Sequence, residues 1–172
     1  MVSRKIITHL LSLVLITIIL LIFHYPILLN ADFFLQFDEV GQAGFAINLF
    51  RGDPVPFYYP AENAFTYTGT QQSLFAIPFY WLIGISALAY KLPAILCSSF
   101  HIWTTCWISG KINPKAPFVV GLLMLFCSPA LWFLVTHNWH NATILFLGNL
   151  ILLFFVECYS SRKLLPLKVF FL

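Results

Sequence analysis

From residue 6 to residue 31, and again from residue 116 to residue 156, the chain carries no Asp, Glu, Lys or Arg. A crossing helix needs roughly 20 apolar residues, and each of these runs is long enough to supply one. Composition points the same way. Of 172 residues 60% are hydrophobic and 9% charged, and the mean hydropathy is +0.89, outside the balance of an ordinary soluble domain. The bilayer is therefore the expected solvent, with room for about four or five spans. That is too few for a large transporter, and no charged residue lies mid-span to couple an ion or a proton.

The cations set the expected orientation. The net charge is +3, but seven of the nine basic residues, Arg4, Lys5, Lys111, Lys115, Arg162, Lys163 and Lys168, lie beside apolar segments. There they act as positive-inside signals, not as a nucleic-acid surface. Spans at about 6–29, 87–108, 116–135 and 140–156 place all seven in the cytoplasm with the amino terminus. The short apolar stretch 73–85 is left out, because crossing there turns Lys111 and Lys115 outward. It reads as an interfacial or re-entrant helix, with Tyr80 and Trp81 at headgroup level. The first run is too long for a signal-peptide core and no small-x-small cleavage site follows it, so it reads as an uncleaved span. Cys97, Cys106, Cys127 and Cys158 have no metal-like spacing and read as buried structural thiols.

Five of the six acidic residues, Asp32, Asp38, Glu39, Asp53 and Glu62, fall in the outer loop 30–85, where chemistry is expected. Val40, Ala43, Ile47 and Phe50 recur at helical spacing, Arg51 sits in the last turn and Gly52 is a C-terminal stop. Asp38 and Glu39 then open a short amphipathic helix on the membrane surface. One reading makes Asp38 its cap and Glu39 a favourable charge at its positive end. The other makes them catalytic.

A series of short motifs bears on that choice. The apolar first span, Asp38-Glu39 at the start of a surface helix, Tyr67-Thr68-Gly69, the segment Ile77-Pro78-Phe79-Tyr80-Trp81-Leu82-Ile83-Gly84, and Tyr90-Lys91-Leu92-Pro93 together resemble the amino-terminal part of the GT-C membrane glycosyltransferases. Within that superfamily the chain is similar to the protein O-mannosyltransferases and the lipid A aminoarabinose transferase. The resemblance implies an all-α polytopic membrane fold and transfer of a sugar from a polyprenyl-phosphate carrier to an acceptor on the non-cytoplasmic side. It implies that Asp38 faces the acceptor and Glu39 is its companion. A carboxylate within reach of an acceptor hydroxyl orients it and takes its proton as the anomeric carbon is attacked, and the lipid phosphate leaves.

Two departures from the relatives stand out. The basic residue and paired prolines before the Tyr-Trp segment are replaced by Gly69-Thr70-Gln71-Gln72-Ser73-Leu74, and the acid of the second outer loop by His137-Asn138-Trp139-His140-Asn141. His137 and His140 are three apart, as a metal pair would be, yet no carboxylate or thiolate accompanies them. They read instead as hydrogen-bonders at the interface or as donors to a phosphate oxygen. Asp32, Arg51, Tyr67, His137 and His140 are the expected substrate-binding residues. Arg51 and Lys91 are the cations expected outside; either can meet a phosphate, or Arg51 simply ends a helix and Lys91 snorkels to the headgroups.

The expected whole is a single membrane domain in a bacterial inner membrane, a fragment of a larger enzyme. Its expected partners are membrane lipids and the lipid-linked donor, with no cofactor, no metal and no nucleic acid. The alternative is a small non-enzymatic membrane scaffold or assembly subunit.

Overall fold

The computed structural model describes residues 2–35, 37–54, 58–60, 67–69, 71–126 and 140–160. Its helices are α1 (Val2–Leu29), α2 (Phe37–Arg51), α3 (Gln71–Ile83), α4 (Ala87–Ile112), α5 (Ala116–Phe126) and α6 (His140–Ser160), with a 3-10 turn at Ala31–Phe34. Between α2 and α3 lies a small antiparallel ladder of β1 (Tyr58–Pro60) and β2 (Tyr67–Gly69), which pairs Tyr58 with Gly69 and Pro60 with Tyr67. The architecture is helical as expected, with this ladder as an addition.

Sequence explains three of the helix boundaries. Gly52 closes α2 with φ +85°, its N–H bonding Leu49 O at 3.1 Å while Asp53 N bonds Asn48 O at 2.9 Å. This is the double bond of a glycine-terminated helix, and it bears out the stop expected there. Gly84 ends α3 in the same left-handed region, φ +82°, through a bond to Tyr80 O. Two residues later Ser86 caps α4, its side chain accepting from Ala89 N at 3.2 Å. Gly84 and Ser86 together turn the chain from α3 into α4.

Among the described residues Ile7–Leu29 is the one helix long and apolar enough to cross a membrane, while Ser73–Ile83, Ala116–Phe126 and Thr143–Tyr159 are shorter apolar stretches. One stripe of α1, Ile7, Leu10, Leu11, Val14, Leu15, Ile18 and Ile22, is exposed at helical spacing, and its opposite side packs Ile16, Leu20, Leu21 and Leu28 around Ile95 and Ile102 of α4. α4 carries Ser99, Thr104, Thr105 and Ser109, and each hydroxyl bonds a carbonyl three or four residues back on the same helix at 2.7 to 2.8 Å. Polar side chains satisfied in this way need no water.

Contacts between helices fix their directions. His9 stacks on Trp107 with ring centres 4.4 Å apart, at the opposite end of the α1–α4 contact from Leu28 and Leu92, so these two helices run antiparallel. A Cβ built on Gly110 would sit 3.0 Å from Pro117, and one on Gly121 would sit 3.4 Å from Cys106, so α5 turns back along α4. Between α4 and α6 the pairs are Cys97 with Thr143, Thr104 and Thr105 with Asn149, and Lys111 with Glu157. Their sequence offset is nearly constant, so α4 and α6 run parallel. α1 begins and α4 and α6 end at one end of the bundle, together with Lys111 and Lys115. At the other end α2 and α3 cover the head of α4, and the 3-10 turn rests against α1 and α4.

Candidate functional site

α2 and α3 are held to the head of α4 by a compact core of Ala46, Ala76, Tyr80, Ala89 and Tyr90, with Leu35, Ala43, Ile47, Phe50 and Phe79 around it. The buried face of α2 is thus Glu39, Gln42, Ala43, Ala46, Ile47 and Phe50. It differs from the face expected from sequence, because Val40 is exposed and Gln42 is buried. Gln42 is accommodated by Ser73 of α3, whose hydroxyl donates to Gln42 O at 2.9 Å and lies 3.3 Å from its Oε1. Tyr80, expected at headgroup level, is instead 2% exposed, while Trp81 beside it is 75% exposed. Burial pushes the Tyr80 phenol up to about 12, so it stays protonated where it packs.

The polar centre of this core is an ion pair. Lys91 Nζ donates to both carboxylate oxygens of Glu39, at 3.1 Å and 3.0 Å, and the two side chains are 1% and 0% exposed. Lys91 therefore does not snorkel to the headgroups. Its place one residue after Tyr90, at the covered head of α4, turns its side chain inward to the first turn of α2. The pairing has a physical logic, since either charge alone in this apolar setting would carry a desolvation cost of several kcal/mol. Tyr90 lies within electrostatic reach of both Glu39 and Tyr80.

The other expected site residues are distributed as follows. Asp38 is in the first turn of α2, immediately before Glu39. Asp32 is exposed on the 3-10 turn that leads into α2. Arg51 is exposed at the far end of α2, twelve residues from Glu39 and hence about 18 Å away along the helix, so it does not join the acids. Tyr67 is the first residue of β2, paired with Pro60. His140 begins α6 at the end of the bundle where α2 and α3 lie, and α3 touches α6. His137 lies outside the described residues.

Sequence reasoning missed the pairing of Lys91 with Glu39 and that of Ser73 with Gln42. The usable signal was Lys91 itself, a cation set among apolar residues, which needs a partner. Deeper in the bundle Asn149 of α6 places its Nδ2 within 2.7 to 3.1 Å of His101 Nδ1, His101 O, Thr104 Oγ1 and Thr105 Oγ1. Both threonine hydroxyls already donate to backbone carbonyls, so they accept from the amide.

Comparison of the chain with protein-family models, with curated proteins and with solved structures gives no match.

Proposed function

We propose that the chain is the membrane module of a GT-C type glycosyltransferase, moving a sugar from a polyprenyl-phosphate carrier to an acceptor on the non-cytoplasmic side. In this reading the spans are about 6–29, 87–108, 116–135 and 140–156, and Asp38 is the acceptor-facing base. The observation that carries the reading is the position of the Asp38-Glu39 turn. It opens a helix docked on the end of the bundle opposite Lys111 and Lys115, the end where α6 starts. That is where a non-cytoplasmic acid must be if those cations face the cytoplasm. The exposed apolar stripes of α1, α5 and α6 supply a lipid-facing surface, and the back-bonded hydroxyls of α4 suit a dry interior. The resemblance of the motif series supports the choice of family.

The test is transfer in membranes containing the full protein, supplied with polyprenyl-phosphate donors bearing a tritiated hexose or pentose. Asp38→Asn keeps the shape of the side chain while removing its charge and is expected to lower transfer about 100-fold or more, the scale of general-base catalysis. Transfer unchanged by Asp38→Asn removes the residue from the mechanism. A second reading, a non-enzymatic scaffold, is favoured by one feature: half of the acidic pair is already engaged in an internal ion pair, as in a loop that merely packs on its neighbours. It predicts no label transfer from any of these donors.

A further inference from the structure

We propose that Lys91 is a positioning residue, which through Glu39 locks the first turn of α2 onto the head of α4 and thereby fixes the backbone at Asp38. The inference rests on the proposed role of Asp38 and deepens it. It divides the acidic pair, with Glu39 as a strut and Asp38 as the carboxylate left to the acceptor.

Among the described residues, the side chains that α2 contributes to the apolar core are Ala43, Ala46, Ile47 and Phe50, from its second turn onward. In the first turn the buried, described side chain is Glu39, and it is tied to α4 by two charge-assisted bonds. A carboxylate gripped through both oxygens has its direction set as well as its distance. Consecutive residues of α4 divide the work of docking, Tyr90 packing in the apolar core and Lys91 holding the turn ahead of it. Ser86 and Gly84 place both residues, because the cap sets where α4 starts and the glycine sets how α3 leads into it. Being 1% exposed and directed at Glu39, Lys91 has no open face for a donor phosphate.

Amide exchange of the full chain in nanodiscs tests the docking. Lys91→Met and Glu39→Gln should each raise exchange in the stretch 37–42 by about 10-fold or more, because each removes one partner of the buried ion pair. The stretch 98–108 of α4 should keep its protection. The double variant Glu39→Gln with Lys91→Met should return to within about 3-fold of the parent, since both charges of the pair are removed together, and Lys91→Arg should stay near it. In the transfer assay with the tritiated polyprenyl-phosphate hexose, Lys91→Met should lower turnover about 10-fold with the donor KM unchanged, and Lys91→Arg should recover most of the loss. Parent-like exchange in both single variants overturns the proposal. So does a raised donor KM with unchanged turnover in Lys91→Met, which is the signature of a phosphate ligand. Loosened exchange in the single variants, together with full transfer by Asp38→Asn, upholds the strut and sinks the catalytic reading.

Discussion

A buried lysine is expensive to keep, and the difference between Lys91 and Arg51 shows what its surroundings decide. Both are cations placed on the outer side by sequence; one lies 1% exposed against Glu39, and the other is exposed at the end of α2. Breaking the buried pair should therefore be costly and removing the exposed charge should not. Glu39→Gln is expected to lower unfolding free energy by about 3 to 5 kcal/mol, while Arg51→Gln and Asp32→Asn should stay within about 0.5 kcal/mol. Thermal unfolding in detergent reads the difference, and equal melting temperatures for Glu39→Gln and Arg51→Gln would contradict it. The Asp-Glu pair was legible in sequence as the start of a helix, but which acid turns inward was not. α2 alternates small residues, Gly41, Ala43, Gly44 and Ala46, so no strong apolar stripe marks its inner face. The face is chosen by what meets it, namely Lys91, Ser73 and Tyr90. Gly44 gives a second test at this scale, because a Cβ there meets no atom within 4 Å. Gly44→Ala should stabilise the protein by about 0.5 to 1 kcal/mol through helix propensity alone.

Helices were easier to read than their contacts. α1 follows from an uncharged apolar run, α3 from a short apolar stretch that Gly84 stops, and α6 from the apolar run after the polar interruption. The ladder at Tyr58–Pro60 and Tyr67–Gly69 escaped notice, since three-residue strands carry too little alternation to register. The parallel register of α4 and α6 was also hidden, because Cys97, His101, Thr104, Thr105, Thr143 and Asn149 are scattered singly through apolar sequence and acquire meaning only as cross-helix partners. Cys97 Sγ lies 3.9 Å from Thr143 Oγ1, close enough that a thiol at 143 can bridge after a small side-chain rotation. Thr143→Cys should thus form a disulfide with native Cys97 under mild oxidation, detected as a linked pair of peptides by mass spectrometry. Leu147→Cys, one turn further along α6, should not. Cross-linking at 147 but not at 143 would mean a different register. Asn149→Leu should cost about 1 to 2 kcal/mol, the upper range for an interhelical hydrogen-bond cluster between apolar helices.

At the scale of the whole molecule, direction is the argument. α4 and α6 run parallel, and α5 packs back along α4 in the opposite direction. Arg4 and Lys5 precede the His9 end of α1, and that end meets Trp107, one turn from Lys111. The clustered cations whose positions follow from these contacts therefore share one end, and Glu157 joins Lys111 there at 2.6 Å. The acids of α2 and the 3-10 turn occupy the other end. Inverting the molecule would carry Arg4, Lys5, Lys111 and Lys115 across together, against the positive-inside bias. The four-span topology proposed above predicts opposite accessibility for Asn63 and Asn113. In a background free of native cysteines, a cysteine replacing Asn63 should react with an impermeant maleimide added outside intact cells, and one replacing Asn113 only after the membrane is opened. Labelling of both from outside would mean that α3 or another segment crosses, and the reverse pattern would turn the whole bundle over and put Asp38 in the cytoplasm, away from any lipid-linked donor on the far side.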